Sequence, residues 1–207
     1  MEWNPSLFSL KSAIRSLPVR AFRGALSRAA DSIRSHWNFN VGENLTLWTI
    51  RLALSCCLVS WLLRLLTPRS VRGTSLARAA WLIGCICYLA HVAFAFHFYH
   101  EWSHDLAFRH TARQTQAVVG WNWGGGLFIN YLFTLVWSAD VLWQWLAPLA
   151  HRSRSKGFEL AIHGFFLFMI VNGTIVFGAG SIRWCGAAGL VALLAAWRLS
   201  RRRSGAC

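Results

Sequence analysis

The chain has 207 residues, of which 56% are hydrophobic and 14% are charged. This composition excludes a disordered chain and is too apolar for an ordinary soluble domain of this length, so the natural solvent is a lipid bilayer. The formal net charge of +14 could also indicate nucleic acid, but the basic residues flank apolar segments, where anionic lipid headgroups attract them. We therefore expect the bilayer and its anionic headgroups as partners, and no nucleic acid.

A basic amphipathic tail, residues 1–40, is the first predicted element. From Val19 the apolar residues recur at helical spacing, at Phe22, Leu26 and Ile33, and arginines occupy the opposite side. This pattern predicts a helix that lies on the membrane surface. A cleaved signal peptide is disfavoured because arginines interrupt the apolar stretch, whereas an organelle transit peptide remains an alternative.

Five apolar windows in residues 41–207 approach the length of about 20 residues that a membrane-spanning helix needs. They are Asn44 to Leu66, Leu76 to Tyr99, Leu127 to Leu149, Phe158 to Gly178, and Cys185 to Leu199. The fifth window is short, so it either crosses a thinned bilayer or folds back. The sequence thus predicts an all-α polytopic transmembrane helix bundle of about five spans in the cell membrane.

The orientation of this bundle stays open at the level of sequence. The loops alone place most arginines on the side that carries Arg64 to Arg78 and Arg152 to Lys156. The basic residues of the tail balance that excess when they are included, so the positive-inside rule does not choose a side.

Four polar residues inside the spans predict an intramembrane polar layer, because ionisable side chains at such depth usually face the bundle interior and pair. Arg51, His91 and Asn172 fall roughly 18 to 22 Å from one membrane face, and Asp140 falls roughly 13 Å from it. We expect an ion pair between Arg51 and Asp140, with His91 and Asn172 completing the layer. Such a layer either holds helices together or lines a path for protons or a substrate.

A group of histidines stands where the second span reaches the interface. No Gly or Pro interrupts Ile86 to Val119, so a continuous helix is expected, and on it His97, His100 and His104 share one face with Glu101. Imidazoles at i and i+4 bind zinc, and a neighbouring carboxylate serves as a general base. The pattern predicts a divalent transition metal, zinc or iron, on the three histidines with Glu101 as the catalytic residue. The alternative is a histidine-rich helix edge without a ligand.

The glycines after this helix predict a tight turn that returns Asn130 and Tyr131 to the depth of the histidines. A series of short motifs follows one another along this part of the chain: His100-x-Trp102-Ser103-His104, Thr111-Ala112-x-x-Thr115, Trp123-Gly124-x-Gly126, Asn130-Tyr131 and Trp137-x-x-Asp140. In these motifs the chain resembles uncharacterised multi-span bacterial integral membrane proteins. The resemblance implies a membrane location and supplies no activity and no catalytic residues.

Two functions remain open from sequence. In the first, the histidine cluster holds a metal for hydrolytic or redox chemistry at the membrane interface. In the second, the protein is a non-enzymatic membrane scaffold or small transporter built around the layer of Arg51, His91, Asp140 and Asn172.

Overall fold

The structure of the protein, a computed structural model, describes residues 19–68, 70–178 and 180–204. Within these ranges every regular element is a helix and no strand occurs. Residues 1–18 of the predicted tail lie outside the described part, as do the side chains of Val19, Phe22 and Ile33. The all-α fold class is confirmed, whereas the membrane-surface role of the tail stays a prediction.

The described residues form seven α-helices and one π-helical turn. They are α1 (Val19–Leu66), α2 (Val71–Tyr99), α3 (His104–Val119), α4 (Gly126–Leu146), α5 (Pro148–Arg152), α6 (Lys156–Val171), the π-helical turn (Asn172–Val176) and α7 (Ser181–Ser204). Within the described ranges, five stretches are long and apolar enough to cross a membrane: Asn40–Leu66, Val71–Tyr99, Gly126–Leu146, Lys156–Val176 and Ser181–Arg202. The fifth predicted window therefore belongs to a helix of full spanning length. The protein is a multi-pass membrane protein in its architecture.

The chain divides into two compact units, the first ending at Glu43 and the second comprising Asn44–Cys207. The second unit contains the apolar core and all the clefts considered for function. Its connections from α1 to α2 and from α4 to α6 are short, as expected for neighbouring antiparallel helices.

An aromatic core joins α2, α4 and α6. Trp81 and Trp137 pack with ring centroids 5.3 Å apart, and Phe166 contacts both rings at 4.8 and 5.1 Å. Gly84 lets α2 approach α1, because a Cβ at this position would stand 3.2 Å from Cys56 Cβ and 3.3 Å from the carbonyl oxygen of Ala53. Small residues at such crossings allow the close van der Waals packing that holds membrane helices together.

The continuous helix predicted for Ile86 to Val119 is wrong. Helix α2 ends at Tyr99, and Glu101 and Trp102 adopt positive φ angles of 48° and 58°. Ser103 then caps α3, since its side chain accepts a hydrogen bond from the Leu106 N–H, and Asp105 adds a negative charge to the first turn. Both features stabilise a helix start. The physical reason for the break is that Ser103 and Asp105 start a new helix, so the chain needs neither Gly nor Pro to end α2.

Candidate functional site

A cluster of buried polar contacts surrounds Asp140, whose side chain is only 4% exposed. The Trp81 indole N–H donates to Asp140 Oδ2 at 2.9 Å. On the other oxygen, Oδ1, the Arg154 guanidinium donates at 2.6 Å and His151 Nε2 lies at 3.1 Å. Asp140, Trp81, His151 and Arg154 are hereafter the Asp140 network. It ties α2 and α4 to the connection between α4 and α6.

His151 carries a chemical ambiguity that matters for its charge. Its Nε2 lies 2.8 Å from Arg154 Nη1 as well as near Asp140. Nε2 donates to the carboxylate in one neutral tautomer and accepts from the guanidinium in the other. Burial is the main cause that lowers the pKa of His151 below its ordinary value. The hydrogen bond with Asp140 opposes that shift, whereas the Arg154 charge adds to it. The fold therefore favours the neutral ring.

The predicted pairing of Arg51 with Asp140 is wrong, because Asp140 pairs with Arg154. Arg51 lies about 22 Å along α1 from its end, whereas Asp140 lies about 9 Å from the end of α4, at 1.5 Å per residue. The Arg51 guanidinium packs 5.2 Å from the Trp48 ring. The offset in depth is the physical reason that this pair does not form.

The two other members of the predicted layer have neighbours of their own. His91 Nδ1 lies 2.9 Å from the Thr46 carbonyl oxygen, so this nitrogen carries the proton and donates. Asn172 begins the π-helical turn and lines a cleft of about 430 Å³ with Asn130, Thr115 and Trp121. The structure therefore does not bring Arg51, His91, Asp140 and Asn172 together.

The predicted metal ligands are distributed around the junction of α2 and α3. The exposed His97 ring packs against Phe98 at 4.7 Å. His104 Nδ1 lies 3.1 Å from the Tyr131 hydroxyl. Glu101 is exposed in the junction, where it no longer stands within a helical turn between two histidines. Among the residues that the structure describes, no group of three His, Cys, Asp or Glu side chains is placed to hold a metal ion.

His100 has a different partner from the one predicted. Its ring centroid lies 5.3 Å from that of His110 on α3, and its Nδ1 is buried without a hydrogen-bond partner. Burial is the first cause that lowers the pKa of His100, and the nearby His110 is the second. The fold of the α2–α3 junction therefore favours a neutral imidazole at His100.

The return of Tyr131 to the histidine region is confirmed by its contact with His104 and by its stacking on Phe96 at 6.3 Å. Gly120 makes the turn after α3 with a φ of 81°, a conformation that favours glycine. The glycine-rich connection thus positions α4 as expected.

A second polar site lies beside the Asp140 network, where α1 ends, α2 begins and α4 ends. This basic cleft has a volume of about 590 Å³, and its polar lining residues are Arg64, Ser70, Thr74, Arg78, Gln144, His151 and Arg152. The Arg78 Nη2 donates to the Gln144 carbonyl oxygen at 2.9 Å. The Nε atoms of Arg64 and Arg78 are buried without hydrogen-bond partners. The cleft thus combines several positive charges with unused donors.

Sequence reasoning missed three members of the Asp140 network. None of His151, Trp81 and Arg154 was identified from sequence as a partner of Asp140, yet all three contact it and His151 is only 6% exposed. One available signal was the short segment directly after α4, which contains His151, Arg152 and Arg154. These basic residues follow the end of the helix that carries Asp140. The Trp81 contact has no local signal, because it depends on how α2 and α4 cross.

Comparison of the chain with protein-family models, with curated proteins and with solved structures gives no match.

Proposed function

We propose that the protein is a non-enzymatic integral membrane protein of the cell membrane, a scaffold whose Asp140 network holds the spans in a fixed arrangement. The observation that carries this proposal is the closed set of partners around Asp140. One carboxylate oxygen binds the Trp81 indole and the other binds Arg154, and both charged side chains are about 5% exposed or less. A carboxylate whose acceptors are used by fixed donors serves packing better than transport.

The placement of the other intramembrane polar residues supports a scaffold over a transporter. A proton or ion path needs polar groups that follow one another through the bilayer. His91 is instead bonded to Thr46, and Arg51 packs beside Trp48. The first contact joins α2 to α1 and the second lies within α1, and neither of them includes a member of the Asp140 network.

Replacement of Asp140 by Asn tests the scaffold. The variant removes the buried carboxylate of the Arg154 pair and leaves Arg154 only the half-exposed Glu159 at 3.5 Å; the loss of one partner costs about 3 kcal/mol in comparable buried pairs. We expect a clear fall in the thermal unfolding midpoint in detergent, measured by intrinsic tryptophan fluorescence. The matched control is Asp105→Asn, which removes an exposed carboxylate paired with Arg109 and should change stability by less than about 1 kcal/mol.

A flux measurement separates the scaffold from the transporter. Proteoliposomes with the wild-type protein should show no more proton or anion flux than empty vesicles. Flux that Asp140→Asn abolishes, in a variant that keeps its stability, would overturn the scaffold and favour the transporter.

A second candidate function is metal binding at the α2–α3 junction, with zinc or iron as the ion. The specific observation is the His100–His110 pair with the buried, unpartnered Nδ1 of His100. Neutral imidazole is the form that binds metals. His97 and His104 would have to turn toward this pair to complete a ligand set, with Glu101 nearby as a base for a bound water.

Elemental analysis of gently purified protein tests this candidate. Bound zinc or iron should be present in the wild type and lost in His100→Gln. The control is His163→Gln, since His163 Nδ1 already contacts the Glu159 carbonyl oxygen at 2.7 Å. A wild-type protein without transition metal would remove the candidate and leave the scaffold unaffected.

A further inference from the structure

The basic cleft carries more positive than negative charge. Arg64, Arg78 and Arg152 line it, and Arg154 stands next to it in the Asp140 network. The carboxylates that pair in this region are Asp140 and Glu159, and both are bonded to Arg154. None of the ion pairs among the described residues includes Arg64, Arg78 or Arg152.

The buried parts of these arginines leave hydrogen-bond donors unused. The Arg64 guanidinium lies over the Trp81 ring at 5.9 Å and the Arg78 guanidinium over the Trp145 ring at 4.9 Å. The Nε–H of each is buried without an acceptor. An unsatisfied buried donor costs about 1 to 3 kcal/mol, and Arg64 and Arg78 contribute to the lining of the cleft while carrying charges that no carboxylate among the described residues pairs.

The start of α2 adds a second favourable feature. The N-terminus of this helix carries a partial positive charge from its backbone dipoles, and its first turn contains no acidic residue. Arg72 in that turn adds a further positive charge. Ser70 and Thr74, from the same region, line the cleft. Helix N-termini attract phosphate groups through this dipole, and here the dipole is the main contribution because the Gly73 and Thr74 N–H groups already donate to Ser70.

We propose that the basic cleft binds a phosphate-bearing anion at the membrane interface. Guanidinium groups match phosphate oxygens in geometry as well as in charge. The exposed apolar residues near the cleft indicate where that phosphate stands relative to the bilayer: Val71 lines the cleft, Leu146 and Leu149 are close in sequence to its lining residue Pro148, and all three are about 80% exposed. A phosphate held beside such residues lies at headgroup level. The same chemistry fits a lipid headgroup and a soluble phosphate.

Two arms of one binding experiment distinguish these sources, both with the full-length protein. In the first arm, inorganic phosphate is added to the detergent-solubilised protein, with chloride at equal ionic strength as the reference. In the second arm, the protein is placed in nanodiscs of phosphatidylcholine with or without phosphatidylglycerol, and retained lipid is identified by native mass spectrometry. Thermal stabilisation in the first arm indicates a soluble phosphate, and selective retention in the second indicates the headgroup. Either result supports the anion site.

The paired substitution Arg64→Gln with Arg78→Gln should weaken binding by about tenfold or more, since each lost charge-assisted hydrogen bond is worth about that factor. Arg152→Gln, at an exposed position, should weaken it by a smaller factor. The control is Arg113→Gln, which removes an exposed arginine from α3, outside the cleft.

A second variant keeps the test informative if the arginine variants do not fold. Thr74→Glu places a carboxylate at the cleft and in the N-terminal part of α2, where negative charge stabilises a helix. We expect a folded protein that no longer responds to phosphate or phosphatidylglycerol. The proposal is overturned if the wild type responds to neither anion, or if Thr74→Glu responds as strongly as the wild type and the control Arg113→Gln do. The Asp140→Asn stability test is independent of this outcome, because the anion site needs only the cleft to be present.

Discussion

His151 stands between a carboxylate and a guanidinium, so its protonation changes the charge balance of the Asp140 network. Its pKa is lowered in the fold, first by burial. The unfolded chain therefore binds the proton more readily than the native protein does, and the stability contributed by neutral His151 is complete above its ordinary pKa of 6.5. That contribution is lost as the pH falls below this value toward the lower pKa of the folded protein.

We expect the thermal unfolding midpoint of the wild type to fall as the pH is lowered below about 6.5, with a loss of at most about 1.4 kcal/mol of unfolding free energy per pH unit from this one group. His151→Gln removes the titration and should flatten the profile. Because the pKa of His100 is lowered as well, the informative quantity is the difference between the two proteins. Parallel profiles for wild type and variant would show that His151 does not contribute.

At the scale of single residues, the sequence indicated that Asp140 requires a partner but not which residue is that partner. An aspartate within an apolar span has to be paired or bonded because its desolvation is costly, and Asp140 was correctly expected to have a cationic partner. Helical depth alone suggested Arg51, but the connection after α4 supplies Arg154 and His151 from outside the span. The path of that short connection is tertiary information, which a hydropathy pattern does not contain.

The break between α2 and α3 is the element that most changes the function expected from sequence. It turns the backbone through Glu101 and Trp102, both at positive φ. A left-handed conformation costs about 1 to 2 kcal/mol for a residue other than glycine. The junction is kept by the Ser103 cap of α3 and by the Trp102 N–H, which donates to the Phe96 carbonyl oxygen at 3.0 Å.

Substitution of Glu101 by Gly should raise the free energy of unfolding if the segment forms the observed junction, and lower it if the segment forms a continuous helix. In the observed junction, Gly relieves the backbone strain at φ 48°, and we expect stabilisation of about 0.5 kcal/mol after the entropy cost of Gly is subtracted. In a continuous helix the same change would destabilise by about 1 kcal/mol. The measurement is the unfolding midpoint of the variant in detergent.

Two further variants calibrate this measurement. Gln116→Gly, at an exposed position inside α3, should destabilise by about 1 kcal/mol. Glu101→Ile should also destabilise, because a β-branched residue tolerates positive φ poorly. Equal losses for Glu101→Gly and Gln116→Gly would contradict the junction.

The helices themselves were predictable because spanning length and hydropathy are properties of local sequence. All five predicted windows coincide with helices of spanning length, and the fifth is longer than its apolar window because polar residues extend it at both ends. The break after Tyr99 was not predicted because the absence of Gly and Pro was interpreted as continuity. Ser103 and Asp105 were the local signal for a new helix start.

Across the second unit, the two ends of the spans differ in chemistry. The end that contains the basic cleft carries arginines together with the Asp140 network. The end that contains α3 and the π-helical turn carries histidines and a cleft lined by uncharged residues such as Asn130, Asn172 and Trp121. Since consecutive spans reverse direction, the loops at the end with the basic cleft and the loops at the end with α3 should face opposite sides of the membrane.

Cysteine labelling in intact cells tests this arrangement. Ser153 and Asn122 are exposed positions in the loops after α5 and α3, and each would be replaced by Cys in a background without the native cysteines. The positive-inside rule for short loops places the arginine-rich Ser153 loop in the cytoplasm. A membrane-impermeant maleimide should then label Asn122→Cys directly and Ser153→Cys only after permeabilisation. Labelling of both positions from one side would contradict the alternation of the spans, whereas the reverse pattern would keep the alternation and show that the basic tail sets the orientation.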